Sequence, residues 1–141
     1  GTLHKYDWVQ ISGAVNHPEN GKVVDMKDAI RNELGISDGY LKLYPVTGYG
    51  SPDMLRQIIE IENPDAIMHF TDPRFWIWLY NMEHEIRQNI PILYYNIWDD
   101  LPDPLYNTNF YRSSDTLLSI SKQKNVYSFG TQHLLMKMEL I

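Results

Sequence analysis

The chain of 141 residues contains no cysteine, which excludes disulfide bridges and thiolate metal sites and is typical of a reducing compartment. It has no apolar run close to the roughly 20 residues that span a bilayer, and no signal peptide is expected at its start. Basic residues are few, since 12 Lys and Arg stand against 18 Asp and Glu. The net charge of -6 therefore argues against nucleic acid as a partner. We expect a cytoplasmic protein without a transmembrane segment.

The hydrophobic content of 43% is sufficient for one sizeable core, so residues 1–141 are expected to form a single domain. Three apolar runs, at residues 65–72, 90–100 and 115–122, each end in a polar cluster. Parallel strands buried on both faces have this pattern, and their polar ends share one edge of the sheet. We predict an α/β fold: a three-layer, Rossmann-like domain with a mostly parallel sheet of about five strands and helices on both faces.

Two further strands are predicted at residues 6–14 and 40–46, and a helix at residues 25–34. Ser51 and Pro52 are typical of a helix start, and that helix should run to Glu62 or Asn63. Asp72 and Pro73 repeat this arrangement before a helix that should continue to Gln88. The tail after Ser121 is mainly helical in pattern. Strands and helices thus alternate, which favours parallel pairing with right-handed crossovers.

If the strands are parallel, their carboxyl ends bring several polar and glycine residues into one crevice. Two of them, Asp72 and Asp99, are candidate catalytic carboxylates. The candidate substrate-binding residues at the same edge are Asn16, His17, Gly48, Tyr49, Gly50, Arg74, Asn96, Asp100, Ser121 and Lys122. Adjacent carboxylates on a strand or loop point in different directions, so Asp99 and Asp100 are not expected to bind a metal.

Each of these features has a structural alternative. Asp72 can cap a helix, and Arg74 can form an ordinary surface ion pair with it. Gly48 and Gly50 can serve a tight turn that requires a positive φ angle rather than a ligand-binding loop. His69 would lie inside a buried strand, where a histidine is more often a hydrogen-bonded core residue than a catalyst.

Three segments, read in order, carry a family resemblance: Asn-Pro-Asp-Ala-Ile-Met-His-Phe-Thr-Asp at residues 63–72, Ile-Pro-Ile-Leu-Tyr-Tyr-Asn-Ile-Trp-Asp at 90–99, and Ser-Asp-Thr-Leu-Leu-Ser-Ile-Ser-Lys at 114–122. They resemble strands in the N-terminal domain of GT-B glycosyltransferases, in particular the retaining group that includes glycogen synthases. The resemblance implies a carbohydrate acceptor as partner and a sugar-transfer reaction in carbohydrate biosynthesis. It also implies that this chain is the acceptor-binding part of a longer transferase.

The chain departs from that family in several places. Met68 and Phe70 flank His69 where the family often has a terminal histidine, and Asn96 replaces another. The family's first Gly-rich strand and its second domain are not found, so a nucleotide-sugar donor would bind in an absent domain and no cofactor is expected here. A sheet without its first strand has an exposed edge, which predicts a homodimer that covers it. The alternatives are a non-catalytic α/β binding or assembly module and a receiver-like signalling domain. The second lacks the required acidic pair after its first strand.

Overall fold

The computed structural model describes residues 5–14, 16, 18–98 and 104–119. The chain divides into two compact units, with the boundary between Glu62 and Asn63. The first unit contains β1 (Trp8–Ala14), β2 (Val24–Asp25), α1 (Lys27–Leu34), β3 (Leu41–Thr47) and α2 (Pro52–Glu62). Its three strands form one sheet in the order β1-β3-β2, with β1 parallel and β2 antiparallel to β3.

Local sequence explains the ends of both helices in the first unit. The Ser51 hydroxyl accepts a hydrogen bond from the backbone N–H of Met54, which satisfies one free donor at the start of α2. Helix α1 ends at Gly35, whose φ of 69° is the left-handed conformation that glycine adopts without a steric penalty. Leu55 and Ile58, three residues apart on α2, are buried, so this helix presents one apolar face.

A buried carboxylate, that of Glu62, ties the last residue of α2 to strand β3. Its side chain is only 5% exposed. It accepts hydrogen bonds from the hydroxyls of Tyr40 and Tyr44, at 2.8 and 2.5 Å, and from the Lys42 ammonium at 2.9 Å. Lys42 and Tyr44 alternate on β3 and share one of its faces, and Tyr40 directly precedes the strand at the same spacing. We call these four residues the Glu62 cluster.

The second unit contains β4 (Ile67–His69), α3 (Ile77–Asn81), α4 (Glu83–Ile86), β5 (Ile92–Asn96), α5 (Thr108–Arg112) and β6 (Thr116–Ser119). Short 3-10 helices, Pro73–Trp76 and Leu105–Asn107, precede α3 and α5. The strands form a parallel sheet in the order β4-β5-β6, in which Ile67 pairs with Ile92 and Leu93 with Thr116. Within the described residues, no helix is both long and apolar enough to cross a membrane.

Alternate residues of β5 form part of the core of the second unit. Ile92, Tyr94 and Asn96 are each at most 2% exposed, whereas Leu93 and Tyr95 on the opposite face are half-buried. At the start of the strand, the Asp115 carboxylate accepts a hydrogen bond of 2.8 Å from the Ile92 N–H. Arg87, which follows α4, forms an ion pair with Asp115 and another with Glu83. These contacts hold α4 to the beginning of two neighbouring strands.

The predicted three-layer, Rossmann-like domain with one mostly parallel sheet of about five strands is wrong. Over the described residues the structure has two three-stranded sheets, one mixed and one parallel. Apolar runs identify strands, but they do not determine which strands pair, and both neighbours of β3 come from its own unit. The predicted helix to Gln88 is also interrupted, because Met82, with φ -95° and ψ 2°, leaves the helical conformation between α3 and α4.

Candidate functional site

A cavity of about 150 Å³ lies in the second unit at the carboxyl ends of β4 and β5. Two of the residues that line it, Asp72 and Asn96, are candidates from the sequence. The full lining is formed by Asp72, Pro73, Tyr94, Asn96, Ile97, Trp98 and Asn107. The carboxyl edge of a parallel sheet is where ligands bind in open α/β folds, so the cavity has the position expected of a binding site.

The carboxylate of Asp72 is held by Arg74 at the wall of this cavity. It accepts hydrogen bonds from the Arg74 backbone N–H at 3.0 Å and from Nε at 2.9 Å, and the guanidinium Nη2 lies 2.5 Å from its second oxygen. These bonds from Arg74 keep the pKa of Asp72 below its ordinary value. Asp72 therefore caps the 3-10 helix, pairs with Arg74 and remains an ionised acceptor.

Asn96, at the end of β5, orients the backbone that carries Trp98. Its side chain is 2% exposed, and its Oδ1 accepts a hydrogen bond of 3.1 Å from the Trp98 N–H. Its Nδ2 donates weakly to the Tyr111 hydroxyl over 3.4 Å. Both ends of this amide are occupied, so Asn96 shapes the cavity wall through the position of Trp98.

Two other polar atoms of cavity residues are buried and have no hydrogen-bond partner among the described residues. They are the indole Nε1 of Trp98 and the amide Oδ1 of Asn107. Buried polar groups in native proteins are nearly always paired, because an unpaired one costs about 1–3 kcal/mol. One atom is a donor and the other an acceptor. Trp98 thus retains one buried donor, and Asn107 one buried acceptor, without a partner among the described residues.

His69 lies behind the cavity rather than in its lining. Its ring stacks on Tyr94 at a centroid distance of 5.1 Å, and its Nδ1 is 2.7 Å from the Tyr80 hydroxyl. Burial lowers the pKa of His69 to about 4, although the nearby Asp72 charge acts in the opposite direction. The residue is therefore neutral at pH 7 and is a hydrogen-bonded core histidine, the structural alternative of the sequence analysis.

The first unit contains the other described candidates, which form turns. Asn16, Gly48 and Gly50 have positive φ angles of 51°, 75° and 81°, and Tyr49 is exposed. A Cβ atom added to Gly13 would lie 2.4 Å from the Gly48 carbonyl oxygen, so the turn packs closely against β1. The backbone thus has the tight turn that the sequence offered as an alternative to a ligand loop.

The structure brings Asp72, Arg74 and Asn96 together within one unit. The remaining candidates lie outside the described residues: His17, Asp99, Asp100, Ser121 and Lys122. Sequence reasoning missed Trp98 and Asn107. Trp98 directly precedes the candidate residues Asp99 and Asp100, and Asn107 ends the short 3-10 helix in a segment that is rich in proline and asparagine and contains no motif.

No protein-family model, no curated protein and no solved structure matches this chain. The resemblance to glycosyltransferases therefore stays a prediction. Among the described residues, no group of three or more His, Asp or Glu side chains is placed to hold a metal ion.

Proposed function

We propose that the second unit binds a hydroxyl-rich ligand of the saccharide class in the cavity, as the acceptor site of a sugar-transfer reaction does. The observation that carries this proposal is the unpaired donor at Trp98 together with the unpaired acceptor at Asn107. A hydroxyl group both accepts and donates a hydrogen bond, so sugar hydroxyls are able to pair with an atom of either kind. A carboxylate or an ammonium group satisfies only one of them.

Asp72 supports the same ligand class. An ionised carboxylate only accepts hydrogen bonds, and charge-assisted bonds to hydroxyl donors are among the stronger ones. Because Arg74 lowers its pKa, Asp72 is a weak base, and we assign it a role in orienting a hydroxyl rather than in removing its proton. In a transfer reaction the nucleotide-sugar donor would be held by another part of the protein.

The size of the cavity limits how much of a ligand it holds. Pockets that enclose drug-sized ligands measure about 300–1,000 Å³, and this one measures about 150 Å³. It therefore encloses one end of a saccharide, and the rest of the ligand lies at its mouth.

A non-catalytic binding module is the second candidate, and the low pKa of Asp72 is the observation that favours it. The two functions share the saccharide site and differ in chemistry. Incubation of the protein with a bound saccharide and a panel of nucleotide sugars distinguishes them. Because the donor is held elsewhere, the incubation includes the donor-binding part of the protein: a glycosylated product then indicates a transferase, and saccharide binding without product under the same conditions indicates a module.

The binding itself is tested by NMR titration with neutral hexoses and disaccharides. We expect the indole N–H signal of Trp98 to shift, and Trp98→Phe to weaken binding about tenfold, because one hydrogen bond is lost. Trp78→Phe is the matched control, since the buried Trp78 Nε1 also lacks a partner among the described residues but does not line the cavity. If no saccharide shifts the cavity signals, the proposal is wrong.

Two further expectations extend the proposal, namely a cytoplasmic location and a homodimer. In the described part of the second unit, β4 and β6 are the edge strands of the sheet, and unpaired edges favour pairing with another chain. Light scattering across a dilution series measures the mass of the assembly. A monomer at all concentrations contradicts the dimer and leaves the saccharide site unaffected.

A further inference from the structure

Tyr106 lies beside the cavity, directly before Asn107 on the short 3-10 helix. Its side chain is 54% exposed, which is a large fraction for an aromatic residue. The ring nevertheless has two defined contacts. The Arg74 guanidinium carbon is 5.2 Å from its centroid, and the Trp98 ring meets it edge to face at 6.1 Å and 86°. Both neighbours belong to the candidate site, since Trp98 lines the cavity and Arg74 holds Asp72.

These contacts hold the Tyr106 ring in one orientation while more than half of its surface stays in solvent. Arg74 is itself fixed by its hydrogen bonds to Asp72, so the contact to the ring does not depend on a freely moving side chain. A ring that is already oriented loses little conformational entropy when a ligand covers it. An exposed, oriented aromatic ring beside the cavity is a ready surface for ligand binding.

We propose that Tyr106 is a stacking platform for the sugar ring whose hydroxyl enters the cavity, and this inference rests on the proposed function. A pyranose ring has a face of C–H groups, and its burial against an aromatic face is favourable. The cavity then binds the hydroxyl end of the sugar through Trp98 and Asn107, and Tyr106 binds the ring that remains outside. The two contacts together account for a ligand larger than the cavity.

The charges at the platform define the ligand further. The positive charge of Arg74 is balanced by Asp72, with which it forms an ion pair of 2.5 Å. Because Asp72 neutralises the charge of Arg74, the pair does not attract a carboxylate or phosphate. Asp72 also repels an anion that enters the cavity. We therefore infer that the site prefers neutral pyranosides to uronic acids and sugar phosphates.

The test compares a neutral pyranoside with an open-chain polyol of similar hydroxyl content. We expect Tyr106→Ala to weaken pyranoside binding about tenfold, because the ring contact is lost, and to leave polyol binding within about twofold. Tyr106→Phe retains the ring and should bind as the unaltered protein does. Leu105→Ala is the matched control, because Leu105 is the adjacent residue and is 84% exposed.

The outcomes separate this inference from the proposed function. If Tyr106→Ala keeps full affinity for the pyranoside while Trp98→Phe loses it, the platform is wrong and the saccharide cavity stands. If uronic acids bind more tightly than neutral pyranosides, the charge argument is wrong. If the unaltered protein binds neither pyranoside nor polyol, the proposed function fails and the platform with it. Tyr106→Leu, which keeps apolar volume without a ring, provides a second variant if the alanine protein does not fold.

Discussion

Glu62 in the first unit and Asn107 in the second are both almost fully buried polar residues, with 5% of the Glu62 side chain and 3% of Asn107 exposed. They differ in how their oxygen atoms are paired. The Glu62 carboxylate accepts three hydrogen bonds from side chains. The Asn107 Oδ1 has no partner among the described residues. A completed polar cluster holds structure together, whereas an incomplete one at a cavity is available to a ligand.

The pKa values of the Glu62 cluster reflect its complete set of hydrogen bonds. Burial alone would raise the pKa of Glu62, but hydrogen bonds from Tyr44, Lys42 and Tyr40 outweigh it and lower the pKa. Burial and the bond to Glu62 raise the pKa of Tyr44 to about 12. The Glu62 cluster is thus built around an ionised carboxylate. The cluster fixes α2 on β3.

The largest predicted effect comes from breaking the completed cluster. We expect Glu62→Ala to reduce the free energy of unfolding by about 3 kcal/mol, because it leaves Lys42 and two tyrosine hydroxyls without their acceptor. Urea unfolding, followed by circular dichroism, measures this change. Glu60→Ala is the control on the same helix, where the side chain is exposed. Equal effects of the two substitutions would show that the cluster does not stabilise the fold.

Acid should affect the second unit through His69. Its pKa falls from 6.5 to about 4 on folding, so the unfolded chain binds the proton more readily. Stability is therefore complete above about pH 6.5 and declines as the pH falls toward 4. We expect a loss of about 2 kcal/mol between pH 7 and pH 5. The lowered pKa values of Asp72 and Glu62 place their own losses at lower pH.

Unfolding curves at the two pH values, recorded for the unaltered protein and for His69→Gln, check this prediction. Glutamine can still bond to the Tyr80 hydroxyl but does not titrate in this range. The pH dependence between 7 and 5 should therefore be much smaller in the variant. If the variant keeps the full dependence, another group is responsible.

A substitution of Asn107 tests whether its unpaired Oδ1 contributes to saccharide binding. We expect Asn107→Leu, which keeps a similar volume, to weaken saccharide binding about tenfold, or by about 1.4 kcal/mol, because the acceptor is removed. The stability of the free protein should fall only by what the Nδ2 group contributes, since no bond to Oδ1 is lost. Calorimetric titration and urea unfolding of the same variant measure the two quantities. A large loss of stability with unchanged affinity would assign Asn107 to the structure alone.

The smallest predicted effect concerns the glycine turn of the first unit. Gly48 has a φ of 75°, and a Cβ atom built there meets no atom within 4 Å. We expect Gly48→Ala to cost about 1 kcal/mol of stability from backbone strain alone. Saccharide affinity should be unchanged if recognition belongs to the second unit. A clear loss of affinity would instead support the binding role that the sequence suggested for residues 48–50.

Local signals in the sequence predict the elements of this fold well. The apolar pattern of residues 6–14 corresponds to β1, and the Ser51-Pro52 start corresponds to α2, because strand pleating and helix capping depend on neighbouring residues. Asp72 at the site is predictable for the same reason. Strand pairing is not, because it depends on contacts between distant segments, and the two separate sheets were therefore missed.

The residues of the candidate site were likewise predictable only where a local sequence pattern marks them. Asp72 follows β4 and Asn96 ends β5, and both are visible as polar ends of apolar runs, whereas Asn107 follows no apolar run and lines the cavity without a local pattern that predicts it. The unpaired state of Asn107 Oδ1 and Trp98 Nε1 is a property of burial in three dimensions. Such atoms can be found only after the chain has been folded.

The hydrogen bonds of Asp115 have a consequence for the chemistry of a site at the other end of the sheet. Its backbone N–H donates to the Ile92 carbonyl, and its carboxylate accepts from the Ile92 N–H, so one residue pair sets where β6 begins against β5. A slip of β5 by one residue would exchange Tyr94 and Asn96 for Tyr95 and Ile97 at the buried face. The cavity would then lose the Asn96 amide from its lining although no residue of the lining is substituted. Under the proposed function, the register at the amino end of β5 thus sets which side chains line the saccharide cavity, and substitution of Asp115 is expected to alter saccharide affinity.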